Sequence, residues 1–245
     1  MVDTATFLRS ADTFQKPTRQ EYHHYFNGAN YLLYFLAKGA AEKAGDAELA
    51  AQHQQQYEMA VARLKAAGDL EILPIYEKGA LREIKVRIKN IRAGHNLPTS
   101  LTNVRQMWLE ITARDEKGKV LMSSGRMDEH GMLEPETRMF NSDGMGDNFH
   151  FAIDPWIVTA FSRHDTIPPR GYRDVWYGVP SLIKNKTITI EAKLRYRQAG
   201  QEEAESLLAA VPPDIDLNEI YGLKKVPVLP VVDMVVKTLN VAVAK

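Results

Sequence analysis

A chain of 245 residues, 44% hydrophobic and 25% charged, can bury a core of useful size without disulfides or a structural metal. Its 31 basic and 31 acidic side chains cancel, so no global field draws it to nucleic acid or to an anionic membrane surface. The absence of cysteine excludes disulfides, thiol catalysis, Cys-ligated zinc, iron–sulfur clusters and covalent haem attachment through Cys-x-x-Cys-His.

Residues 1–19 are mixed in character, with Pro17 near their end, and predict an extended lead-in. They contain no apolar stretch of signal-peptide type, so either the protein is cytosolic or a signal has been removed ahead of them. No run approaches the ~20 apolar residues that span a bilayer, and no transmembrane segment is expected. From Arg19 to Lys38, Tyr22, Phe26, Ala29, Leu33 and Leu36 recur at spacings of three and four, which predicts a helix stopped by Gly39. A second helix is predicted from Asp46, a capping residue, to Ala67, with Gly68 closing it and Leu49, Tyr57, Ala60, Val61 and Leu64 as its stripe. The two form a helical hairpin over 20–70 whose apolar stripes need burial against something else.

Beyond Leu70 the period changes. Ile84, Val86 and Ile88 alternate with Glu83, Lys85, Arg87 and Lys89, as in a half-buried strand. Trp108–Arg114 and Val120–Ser123 flank the turn sequence DEKGK, a hairpin pattern. Further strands are expected at 172–179, 187–196 and 231–243. The stretch 133–156 and the segment TIPPRGY are loop-like, and EEAESLLAA forms a short helix before a proline-rich crossing. Short strands joined by polar turns predict a mainly β fold with α: an antiparallel β-sandwich over 71–245, preceded by the N-terminal hairpin packed on it.

Candidate chemistry is sparse. There is no His-x-x-x-His pair, nucleophile elbow, phosphate loop or dinucleotide fingerprint. Asp143 and Asp147 in SDGMGDN do not match EF-hand spacing, and Asp128, Glu129, Glu134 and Glu136 read as solvent-facing carboxylates rather than a glycosidase pair. A hydrolase or metal enzyme built on His150, Asp154 and His164 has only residue types in its favour. The segment AGHNLPTS says more. Gly94 permits an unusual backbone angle and Pro98 stiffens the chain, so the imidazole of His95 is aimed in a defined direction. That imidazole either bonds a neighbouring loop and locks the corner, or ligates iron.

Four stretches together resemble a known family. They are His24-Tyr-Phe26-Asn-Gly28-Ala-Asn30-Tyr-Leu-Leu33; the helix end Ala-Gly-Asp-Leu-Glu71-Ile72; and Gly94-His95-Asn-Leu-Pro98-Thr99 with the following Arg105–Thr112 and Asp115–Gly125. The fourth is Asp165-Thr-Ile-Pro168-Pro169-Arg170-Gly171-Tyr with Leu194–Arg197 and Pro230–Met234. In this order they are similar to the C-terminal, haem-free region of multihaem c-type cytochromes. The resemblance implies an electron-transfer accessory module rather than an enzyme, periplasmic or extracellular, with a haem-facing surface. It implies haem c carried by a partner subunit or an upstream domain, with His24 and His95 as cofactor-binding residues and candidate ligands to the haem iron. Gly28 would clear space beside His24, with Phe26 and Leu33 anchoring the helix. Tyr22, Tyr25, Tyr31 and Trp156 would line the interface, unless they are core. The alternative is a non-redox β-sandwich binding or assembly module.

Overall fold

The computed structural model describes residues 5–8, 19–22, 28–179, 186–222 and 225–243. Strands β1 (Ala5–Leu8) and β2 (Arg19–Tyr22) pair antiparallel, so the start of the expected first helix is extended instead. The helix itself, α1, runs Tyr31–Lys43, and α2 runs Ala47–Ala67. Asp46 caps α2 as expected, its Oδ1 accepting from the Leu49 amide at 2.9 Å. Gly68 ends α2 in an extended conformation and starts β3 (Gly68–Glu77) directly. A Cβ on Gly68 would lie 3.1 Å from the Leu194 side chain, a tight contact that Leu194 would have to relieve by a small shift.

β3 turns into β4 (Ala80–Asn90) through Lys78 and Gly79, both at positive φ, as a tight two-residue hairpin requires. β5 (Gln106–Asp115) and β6 (Val120–Ser124) follow. Their turn is held by Asp115 Oδ1, which accepts from the amides of Lys117 and Lys119 at 3.0 Å. The region expected to be loop contains a further antiparallel pair, β7 (Ser142–Met145) and β8 (Ala160–His164). Then come β9 (Tyr172–Gly178), β10 (Lys186–Arg197), α3 (Gln201–Ala209), α4 (Leu217–Tyr221) and β11 (Val232–Val243).

The principal sheets are β11-β10-β5-β6 and β3-β4-β9, every neighbouring pair antiparallel. The expected alternation in β4 holds: Ile84, Val86 and Ile88 are fully buried, and they join Leu109, Ile111, Ile188, Ile190 and Leu194 in one core. Each such side chain contributes roughly 1.5–3 kcal/mol relative to exposure. The outward face of β4 is ionic: Arg87 makes a two-pronged contact with Asp174 at 2.8 Å and lies over the Tyr172 ring.

The hairpin joins this core through Tyr31, Ala60 and Leu64. Tyr31 is wholly buried, edge-on to Tyr57 and Tyr196, and its hydroxyl donates to the Pro230 carbonyl at 2.6 Å. Burial holds its phenol well above the ordinary tyrosine range. Tyr31 is therefore core and not interface, and Leu33, expected as an anchor, is 58% exposed. Phe26 and Tyr25 lie outside the described residues.

Replacing Tyr31 tests the coupling of hairpin and sandwich. Tyr31→Phe is expected to cost about 1 kcal/mol for the lost bond, and Tyr31→Ala about 3–5 kcal/mol. Urea denaturation should remain a single transition, whereas a separate early loss of helical signal would show that the hairpin melts alone.

Candidate functional site

The corner between β4 and β5 is organised by Asn90. Alternation along β4 turns this last residue inward, where it is 1% exposed. Its Nδ2 donates to the carbonyls of His95 (2.8 Å) and Ile167 (3.2 Å), and its Oδ1 accepts from the Ala93 amide at 3.0 Å. Its own amide donates to the Gly171 carbonyl. Leu97 and Ile167, both buried, exchange backbone bonds of 2.8 Å in each direction. The segment 93–97 is thus clamped to the crossing 165–171.

Gly94 does not play the expected part. Its φ is outside the left-handed region, and a Cβ there would meet nothing within 4 Å. The stiffness of the corner comes from Asn90, and the positive φ falls at Ser100.

His95 is exposed, with Nδ1 2.9 Å from the Asn96 carbonyl oxygen. A carbonyl only accepts, so in the neutral imidazole Nδ1 carries the proton and Nε2 keeps its lone pair. This tautomer, fixed by a backbone acceptor, is the one in which imidazoles bind metal through Nε2.

His164 is the opposite case. Thr102 Oγ1 donates to Ser142 Oγ (2.9 Å), and Ser142 Oγ lies 2.6 Å from His164 Nδ1. His164 Nε2 lies 3.2 Å from Thr166 Oγ1 and 3.4 Å from Asn96 Nδ2, and Thr166 Oγ1 also accepts from Asn96 Nδ2 (2.9 Å). Both ring nitrogens of His164 are engaged. Sequence reasoning singled out His164 but missed this relay. The signal was the alternation His164-Asp165-Thr166, which places imidazole and hydroxyl on one side of an extended chain.

Asp165 faces the other way and is surrounded by Arg138 (2.5 Å), Arg173 (3.3 Å) and Arg163 (3.7 Å). Arg163 also forks onto Asp143 at 2.7 and 2.8 Å, which holds its guanidinium above the usual arginine value against partial burial. Asp143 is thereby committed to an ion pair. Asp128 Oδ1 accepts from the amides of His130 and Met132, and Glu134 pairs with Arg126. Among the described residues, no group of three or more His, Asp or Glu side chains is placed to hold an ion, so His150, Asp154 and His164 are not brought together as a metal centre.

Beside the corner, the β7–β8 lobe exposes Phe149 (85%), Trp156 (73%) and Phe151 (67%), and the Phe161 ring lies 5.9 Å from His164. His24 lies outside the described residues. Gly28, expected one helical turn beyond it, is in a turn at φ +48 before α1 begins.

The fold and corner define an antiparallel β-sandwich with a docked helical hairpin, presenting one imidazole with an open Nε2. No protein-family model matches the chain. No curated protein matches it either. Among solved structures it is similar to a penta-heme cytochrome c552 from Thermochromatium tepidum, with a TM-score of 0.51 and 22% identity, covering 74% of this chain and 41% of that one. The chain therefore spans about two-fifths of that cytochrome's length, and the likeness is one of fold. No helix among the described residues is long and apolar enough to cross a membrane.

Asn90→Ala is expected to destabilise the protein by about 1–3 kcal/mol, because the Ala93 amide and the His95 carbonyl lose a partner and the Ile167 carbonyl keeps only the Leu97 amide. Gly94→Ala should stay within about 0.5 kcal/mol of the parent. Thermal denaturation of the two variants checks both, and equal losses would refute the role given to Asn90.

Proposed function

We propose that this chain is an electron-transfer accessory module of a multihaem c-type cytochrome system, exported to the periplasm or beyond. In this reading the 71–245 sandwich, with the 20–70 hairpin packed on it, offers a haem-facing surface to a haem carried by a partner subunit or an upstream domain. The observation that carries the proposal is His95: an exposed imidazole on a pinned corner, Nδ1 held by the Asn96 carbonyl and Nε2 free. With no cysteine, the chain has no covalent haem site of its own, so the haem must be brought to it.

The residues fit an axial role. The clamp from Asn90 fixes where the His95 backbone lies, and the Asn96 carbonyl fixes the tautomer. Bound there, the haem would supply reversible one-electron transfer, and this chain's part would be to orient the ligand and exclude water. His24 is kept as a second candidate ligand. A non-redox assembly role is favoured by a different observation, the exposed Phe149, Phe151 and Trp156, which suit a protein interface.

The visible spectrum of the chain purified with its natural neighbours separates these readings. His95→Ala should abolish a low-spin, six-coordinate haem signature and shift the reduction potential, while His164→Ala should leave both in place. A signature that survives His95→Ala removes this residue as ligand and passes the question to His24→Ala. A complex that contains no haem at all supports assembly alone.

A further inference from the structure

We infer that the arginines around Asp165 form a carboxylate-binding collar for the propionates of the haem that His95 faces. This rests on the proposed function and names the recognition chemistry of that same corner.

The chain as a whole is neutral, yet this corner is not. Arg138, Arg163 and Arg173 converge on Asp165, and Arg163 also holds Asp143. Arg170 stands exposed on the adjoining turn, where the Gly171 amide bonds the Pro168 carbonyl and the Gly171 carbonyl bonds Asn90. Three arginines thus face two aspartates and a fourth stands on the adjoining turn, an excess of two positive charges. Four guanidiniums carry about twenty N–H donors, whereas two carboxylates offer about eight acceptor sites, and the Met139 and Tyr172 carbonyls and Asn141 Oδ1 take further donors. The side chains of Arg138, Arg163 and Arg173 remain 33%, 41% and 38% exposed, so unused donors are open to solvent. Such donors fit planar carboxylates in two-pronged geometry.

The collar is continuous with the imidazole. Asn90 bonds both the His95 and Ile167 carbonyls, Asn96 bonds Thr166, Asp165 precedes Thr166 directly, and Arg170 follows in the same crossing. The half-exposed Phe161 ring lies 5.9 Å from the His164 ring. An imidazole with an open nitrogen and surplus guanidinium donors, carried on two segments that Asn90 clamps together, match a ligand that is flat, iron-bearing and carries two carboxylates on one edge. An acidic peptide would use only the last of these features.

The test is a spectroscopic titration of the full chain with hemin and with hemin dimethyl ester, whose propionates are uncharged. Hemin should bind with a shift to a low-spin spectrum that His95→Ala abolishes. The ester should give the same shift at about tenfold weaker affinity or worse. Arg170→Gln and Arg163→Gln should weaken hemin towards the ester value while leaving the ester unchanged, with melting temperatures recorded to exclude unfolding. Equal affinity for hemin and ester, with the shift present, overturns the collar and leaves the ligand role of His95 standing. No shift with either compound overturns both.

Discussion

A carboxamide buried to 1% exposure must find partners for two donors and an acceptor, since each unmet group costs on the order of 1–3 kcal/mol. Asn90 meets this demand only if two separate pieces of chain come to it: the loop after β4, through the Ala93 amide and the His95 carbonyl, and the crossing at Ile167. The position of the imidazole, the direction of Asp165 and the placement of Arg170 all follow from that requirement. Aspartate in its place would put acceptors where two carbonyls need donors, so the side chain is specified by chemistry and not by size alone.

The two histidines of the corner illustrate how second partners decide what a side chain is for. His95 spends one nitrogen on a carbonyl and leaves the other open, whereas His164 spends both on hydroxyls. Identical residue types thereby end in different states, one with a nitrogen left open and one engaged at both.

Much of the sandwich was legible because its strands alternate. Ile84, Val86 and Ile88 announced β4, and the DEKGK turn announced the β5–β6 hairpin, since burial of one face writes itself into the sequence at period two. β3 escaped because Leu70–Ile75 loses its alternation at Leu73 and carries Pro74, which an edge strand tolerates. β7 and β8 escaped because Gly144 was read as loop. A Cβ there would lie 2.4 Å from the Ala152 carbonyl, so that glycine marks close backbone approach within a strand. The stripe through Tyr22 and Leu33 misplaced the first helix, as spacing alone does not say where a helix begins. Tyr31 was ambiguous for another reason: its partner, the Pro230 carbonyl, is remote in sequence. The corner at His95 was expected to be stiff on account of Gly94, but it is Asn90 that pins it. The tautomer of His95 was not legible, because that depends on where one carbonyl oxygen comes to rest.

The bareness of Gly94 has a practical side. The chain contains no native thiol, and position 94 is exposed, with open space where a side chain would go. A Gly94→Cys substitution would therefore install a single nucleophilic sulfur next to the imidazole at little cost to the fold. A nitroxide label attached there would turn the corner into a distance ruler, its relaxation reporting how near any paramagnetic iron comes.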